Sequence, residues 1–214
     1  MKLKSIISKF NDVSYFLDWY KKQWIYGVSG KRINPKIEKA HWDLACYYSG
    51  IRPPELRKYC TSILNVISES RSGMTTFNSA YAVWTALKSE NKTIQHVGAN
   101  YISSKLWIEN VKIFAPKHYI RSMNANCIEF ENGSKIISKT DNMSLRGTFA
   151  DLIFLEDVDR YDDLKNVWFA AVPQLGEKGK IITSSNLSFH EENEKNSLFI
   201  KSIIRQNGGF QFLP

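Results

Sequence analysis

The chain opens on a helical spacing of apolar residues. Phe10, Val13, Phe16, Leu17, Trp19 and Tyr20 recur on one side, the three-to-four-residue step of an amphipathic helix. A polar break, GVSGKRINP, separates it from a second helical candidate, PKIEKAHWDLACYY, after Pro35. In IRPPEL (51–56), Pro53 and Pro54 make a stiff connector, because each fixes its own φ and steers the residue before it away from helix. Beyond it, short apolar runs alternate with helical stretches. SILNVIS (62–68) reads as a buried strand, SRSGMTT (70–76) as a small-residue turn and TFNSAYAVWTALKSE as a helix. A second strand, TIQHVGA (93–99), leads into the helix YISSKLWIENVKIF, which ends before Pro116. CIEFENGSKIISKT sets Asn132-Gly133 between alternating apolar residues, a hairpin signal because both residue types tolerate positive φ. DLIFLED (151–157) predicts a strand, KNVWFAAVPQL a helix, and KIITSSN (180–186) a strand running into a polar loop. The alternation predicts an α/β domain with a mostly parallel central sheet, helices on both faces and one added β-hairpin.

Composition narrows the class without naming a function. The 214 residues are 43% hydrophobic and 23% charged, ordinary for a globular chain and unlike a disordered one. Cys46, Cys60 and Cys127 show no CxxC spacing, so neither a zinc site nor a disulfide framework is expected, and a reducing cytosol fits. The longest uncharged run, from Ser72 to Leu87, is broken by Ser, Thr and Asn and is shorter than the roughly 18 apolar residues of a membrane span. Lys9, Asp12 and Asp18 break any signal-peptide core near the start, so the expectation is an intracellular protein without a membrane association. The net charge of +8 is uneven. Residues 1–60 hold 12 Lys and Arg against 5 Asp and Glu, residues 61–150 hold 10 against 6, and residues 151–214 hold 7 against 10. An N-terminal basic excess suits a polyanion such as nucleic acid, and equally a solvated face.

Ligands of parallel sheets bind at the carboxyl ends of strands, and three such ends carry suggestive residues. In SRSGMTT, Gly73 and Thr75 occupy the Gly and Thr places of a phosphate loop, with Met74 where a lysine would stand; the same residues also suit a plain βα turn. In LIFLEDVDRY the strand ends in Glu156 and Asp157, one carboxylate for a magnesium shell and one for an attacking water, or simply a solvated strand end. KIITSSN ends in Thr183, Ser184 and Ser185, hydroxyls able to sense a γ-phosphate, or a loop.

The order SRSGMTT, IEFENGSKI, LRGTFADLIFLEDVDRY, KIITSSN resembles the ATPase domain of the large terminase subunit of tailed bacteriophages, the motor that packages DNA into procapsids. The resemblance spans roughly residues 40–214 and is most specific over 128–186. It implies a P-loop, RecA-like (ASCE) NTPase core over 51–214, with residues 1–50 as a helical segment packed on it and the family's C-terminal nuclease domain absent. It places Ser70, Arg71, Ser72, Gly73, Met74, Thr75 and Thr76 in a Walker A loop, with Thr75 and Glu156 on Mg2+ and Asp157 as the catalytic carboxylate of a Walker B motif. It further places Thr183, Ser184 and Ser185 in the coupling motif, and Arg146 as an arginine acting on a neighbouring subunit. The implied cofactors are ATP and Mg2+. The implied partners are double-stranded DNA, the portal protein, the small terminase subunit and further copies in a pentameric ring, at the procapsid portal vertex in the host cytoplasm.

The chain departs from the family at four places. Met74 replaces the lysine, the usual Asp-Glu order is reversed to Glu156-Asp157, Asn186 replaces a proline, and near the adenine position only His41-Trp42 is available, which makes Trp42 the nucleotide-binding candidate there. These departures fit a chain altered to trap a state, or a lineage in which Arg71 carries the cationic role. Restoring a lysine at 74 is expected to tighten phosphate binding. The competing readings are another RecA-like nucleic-acid motor and a nucleotide-binding module without hydrolysis.

Overall fold

The computed structural model describes residues 2–26, 31–140, 147–186 and 194–213. The first helix, α1 (Lys2–Tyr20), is followed by a two-residue-per-strand ribbon, β1 (Ile25–Tyr26) and β2 (Arg32–Ile33), and then by α2 (Lys39–Tyr48). The central sheet takes its strands from β3 (Ile63–Ser68), β4 (Thr93–Val97), β5 (Ile120–Met123), β6 (Cys127–Phe130), β7 (Lys135–Lys139), β8 (Ala150–Leu155), β9 (Leu175–Asn186) and β10 (Phe210–Phe212). Between them run α3 (Met74–Lys88), α4 (Tyr101–Phe114), α5 (Leu164–Ala171) and α6 (Glu194–Asn207).

The strand order is β10-β3-β9-β8-β4-β7-β6-β5. Every pairing from β10 to β7 is parallel, and β6 and β5 continue the sheet antiparallel. The α/β class and the mostly parallel sheet read from the sequence are therefore present. One apolar cluster lies on each face of the sheet. Phe16, Tyr48, Phe77 and Trp107 mark the α1–α4 side, and Leu164, Trp168, Ile200 and Ile203 the α5–α6 side. The first helix joins the larger cluster through aromatic edges: the Phe16 ring meets Phe77 at 5.4 Å and Tyr81 at 5.3 Å. Among the described residues, no helix is long and apolar enough to cross a membrane.

Some boundaries differ from the sequence reading. The helix expected to start at Thr76 starts at Met74. The helix expected through Leu175 ends at Ala171 with a single 3-10 turn after it, and β9 begins at Leu175, five residues before the expected strand. Leu175 pairs with Ala150 and Lys180 with Leu152, so the polar stretch GEKG is a bulge inside the strand pair, where its glycines imitate a turn. The β6–β7 hairpin forms, but only Gly133 of its Asn-Gly pair has positive φ, at +79°. Asn132 instead donates through Nδ2 to the carbonyls of Ala86 and Ser89 at the end of α3. The strands β1, β2, β5 and β10 and the helix α6 carried no sequence expectation.

Candidate nucleotide site

The strands β3, β9 and β8 are neighbours, and their parallel sense brings the ends at Ser68, Asn186 and Leu155 to one edge. A cavity of about 480 Å³ opens there, bounded by residues 68–75, Asp157, Arg160 and Asn186. This is where a doubly wound sheet receives its ligand.

The loop has a shape suited to anions. Arg71 (φ +64°) and Gly73 (φ +77°) are both left-handed and are separated by Ser72, an alternation that turns successive N–H groups toward a common concavity. Gly73 is the N-cap of α3 and offers no side-chain cap. Its carbonyl receives the Phe77 N–H at 3.0 Å, while the first N–H groups of the helix have no intrahelical acceptor. An uncapped N-terminus of a 15-residue helix is an anion site by dipole and donor count together.

Met74 borders the cavity, yet its side chain is 6% exposed and its Sδ lies 3.7 Å from the Tyr48 hydroxyl. The residue in the lysine place is thus a core residue. Arg71 and Arg160 are the basic side chains at the cavity wall. Thr76 is half-buried and Trp42, on α2, is 39% exposed; neither lines this cavity. The neighbouring His41 ring packs on Phe77 at 5.7 Å.

Glu156 is the polar hub of the site. Its Oε1 accepts from Asn78 Nδ2 at 2.7 Å and from Trp107 Nε1 at 3.2 Å, and the Thr75 side chain is near enough to favour its charged form. Burial to 5% exposure pushes its pKa up to about 7; Asn78, Thr75 and Trp107 oppose the rise and the Asp157 charge adds to it. Asn78 continues the chain, its Oδ1 accepting from Tyr48 Oη at 2.5 Å. Trp107 is held flat against the His96 ring at 4.3 Å, and burial lowers the His96 pKa to about 3, so that imidazole is neutral. Sequence reasoning missed Asn78 and Trp107. Asn78 had a usable signal, since it lies three residues after Thr75 on one helix face.

Asp157 borders the cavity from a left-handed backbone, φ +53°. Burial raises its pKa, the Arg160 charge opposes the rise and Asp159 adds to it. Asp159 is itself 7% exposed; its Oδ1 accepts from the Asn186 N–H at 3.2 Å, and its Oδ2 has no partner among the described residues. Asn186 donates through Nδ2 to Ser70 Oγ in the loop. Thr183, Ser184 and Ser185 are 4–5% exposed within β9, outside the cavity lining. Thr183 Oγ1 donates to Asn65 Oδ1 at 2.9 Å, and Asn65 Nδ2 to the Gly208 carbonyl at 2.7 Å. Arg146 lies outside the described residues.

Among the described residues, no group of three or more His, Cys, Asp or Glu could hold a metal alone. The Thr75 hydroxyl beside the Glu156 carboxylate nevertheless fits Mg2+, which takes one or two protein oxygens and completes its shell from water and substrate phosphates.

No family model and no curated protein matches the sequence. Solved structures do match. The large terminase of bacteriophage HK97 is 11% identical with a TM-score of 0.69, over 94% of this chain and 43% of that one. The large terminase of a thermophilic bacteriophage in complex with ADP is 13% identical with a TM-score of 0.59, over 83% and 45%, and the complex of that terminase with ATP-gamma-S is 12% identical with a TM-score of 0.57. The chain spans less than half the length of these proteins. Its fold is the P-loop, RecA-like α/β fold found in phage large terminases.

Proposed function

We propose that this chain is the ATPase part of a phage DNA-packaging motor, binding Mg-ATP at residues 70–75 and coupling its hydrolysis to the movement of double-stranded DNA into a procapsid. The observation that carries the reading is the buried Glu156 carboxylate at the end of β8, hydrogen-bonded to Asn78 on α3, the helix that opens on the phosphate-loop residues, with Asp157 beside it on the cavity wall. A plain βα turn has no use for a carboxylate buried against the helix that follows it. Backbone N–H groups of the loop hold the phosphates, and Arg71 and Arg160 supply the positive charge that position 74 does not. Thr75 and Glu156 hold Mg2+, which when bound neutralises charge on the phosphate oxygens. Asp157 orients a water and takes its proton. Exposed Lys22, Lys31 and Lys36 around the β1–β2 ribbon, with Trp24 58% exposed among them, suit contact with DNA phosphates irrespective of sequence. The assembled partners are the portal protein, the small terminase subunit and further copies in a ring, where Arg146 serves a neighbouring site.

The test is phosphate release from ATP with and without linear duplex DNA. Hydrolysis should rise with DNA, and Thr75→Ala or Asp157→Ala should abolish it. The buried Met74 thioether favours a second reading, nucleotide binding without hydrolysis; tight Mg-ATP binding with no phosphate release at any DNA concentration would select it. Absence of Mg-ATP binding refutes both.

A further inference from the structure

Tyr48, the last residue of α2, does not line the nucleotide cavity, yet its hydroxyl stands two hydrogen bonds from the Glu156 carboxylate. It is fully buried, its ring edge-on to Tyr81 at 5.1 Å and tilted on Phe77 at 6.1 Å, and its carbonyl accepts from Lys180 Nζ of β9 at 2.7 Å. Ring and backbone are thus both held. Burial raises the Tyr48 pKa well above its ordinary value and the Glu156 charge adds to the rise, so the hydroxyl keeps its proton. Two acceptors stand within reach of that proton, Asn78 Oδ1 at 2.5 Å and the Met74 thioether at 3.7 Å. A thioether is a weak acceptor, and the proton goes to Asn78.

We propose that Tyr48 is a positioning residue of the nucleotide site: by donating to Asn78 Oδ1 it fixes which end of the Asn78 amide faces Glu156, and so keeps a donor on the carboxylate that would hold Mg2+. This rests on the nucleotide reading given above. A primary amide has one donating and one accepting end. Turned by 180°, the Asn78 amide would set its oxygen against Glu156 Oε1, acceptor against acceptor, and would leave the Tyr48 proton to the Met74 thioether. Tyr48 therefore selects the orientation in which Asn78 Nδ2 donates to Glu156 at 2.7 Å, beside the Trp107 donor on the same oxygen. Groups of this kind aim a metal ligand without touching the metal. Because Tyr48 belongs to α2, a helix that precedes the first strand of the central sheet takes part in building the site.

The experiment measures by calorimetry the dissociation constant of ATP-gamma-S from the full chain, in Mg2+ and in EDTA, before and after Tyr48→Phe, which keeps the ring and removes the hydroxyl. The loop N–H groups serve the phosphates in both conditions, so the EDTA value should be unchanged. The gain in affinity from Mg2+ should fall about tenfold, the lower end of what losing an outer partner of a metal ligand costs. Asn78→Leu, near in volume, should lower the gain at least as much, and adding Tyr48→Phe to it should change nothing further. Equal weakening in Mg2+ and in EDTA marks a merely structural residue and overturns the proposal while the nucleotide site stands. Full additivity of the two substitutions also overturns it, because Tyr48 then acts by a route other than Asn78. Should Tyr48→Phe not fold, Asn78→Leu carries the test, and an unchanged gain from Mg2+ in that variant overturns the proposal. Failure of the unmodified chain to bind the nucleotide in either condition overturns the proposal together with the reading beneath it.

Discussion

Glu156→Gln converts the burial of one carboxylate into a measurable pH dependence of stability. In the folded chain its pKa is raised from 4.5 to about 7 by burial, against the pull of Asn78, Thr75 and Trp107. In the unfolded chain it returns to the ordinary range. Between these two values the folded state keeps a proton that the unfolded state releases, so stability falls as pH rises through this window and is level above it. At 1.36 kcal/mol per unit, the loss by pH 8 relative to pH 4 is about 3 kcal/mol. A glutamine at this position keeps an acceptor for Asn78 and Trp107 and carries no charge. The variant should therefore match the unmodified chain within experimental error near pH 4.5 apart from a constant offset, and gain on it by about 3 kcal/mol by pH 8. Urea unfolding of both proteins at four pH values between 4.5 and 8 measures the difference, in which the contributions of His96 and other groups not coupled to Glu156 cancel, while Asp157, which feels the Glu156 charge, does not. A difference that stays level with pH refutes the claim that Glu156 is a desolvated acid. Saturating Mg2+ and nucleotide should reverse the order, stabilising the chain that carries the carboxylate and leaving Glu156→Gln little changed.

Further substitutions separate the roles around the cavity and the hairpin. Met74→Leu, close in volume, should cost under about 1.5 kcal/mol and leave Mg-ATP affinity unchanged. Met74→Lys should lower the thermal midpoint of the nucleotide-free chain, because losing buried methionine packing costs on the order of 2–5 kcal/mol and the ammonium enters a core shared with Tyr48; nucleotide should recover part of the loss if the lysine swings to the phosphates. Arg71→Gly should act in opposite directions on two readouts: relief of a left-handed non-glycine backbone, worth about 1–2 kcal/mol, raises the midpoint, and loss of the guanidinium weakens nucleotide binding. Gly133→Ala should destabilise the β6–β7 hairpin, since a Cβ there falls 2.2 Å from Asn91 Oδ1 at a φ of +79°; chemical denaturation should show a loss of more than about 1 kcal/mol.

The alternation of apolar runs with helices was enough to place β3, β4, β8 and β9, because strands buried on both faces read as continuous apolar segments. It could not place β1, β2, β5 or β10, which are two to four residues long and too short for a period to emerge. The extra length of β9 was hidden by Gly176 and Gly179, whose chemistry is that of a turn even where it serves a bulge. At the site, Gly73 and the acidic pair were legible because strand-end chemistry is local. The direction of the Met74 side chain was not, since it is decided by Tyr48, 26 residues earlier. The same holds for Asn78, whose meaning comes from Glu156, 78 residues later, and for Asn186, which a motif comparison marks only as a departure from proline.

The distribution of strain also bears on whether the cavity is a site at all. Among the described residues, three non-glycine residues have positive φ: Arg71, Asn91 and Asp157. Asn91 needs no special account, since asparagine visits this region with local hydrogen bonds, and its N–H donates to the Asn132 carbonyl at the hairpin. Arg71 and Asp157 both border the same cavity at the ends of β3 and β8. Beside them stand a buried carboxylate, Glu156, and a second acid, Asp159, with an oxygen unpartnered among the described residues. Each feature costs on the order of 1–3 kcal/mol, a large part of the roughly 5–15 kcal/mol by which a typical domain is stable. A turn whose only task is to join a strand to a helix needs none of them: glycine or asparagine at position 71 and a serine at 156 would connect the same elements with less strain. Strain of this kind persists where a ligand or a reaction requires it. A direct consequence is that Arg71→Gly combined with Glu156→Gln should yield a chain more stable than the original above pH 7 and unable to bind Mg-ATP; if that double variant is both less stable and still competent to bind, the costs were misassigned and the cavity is a turn.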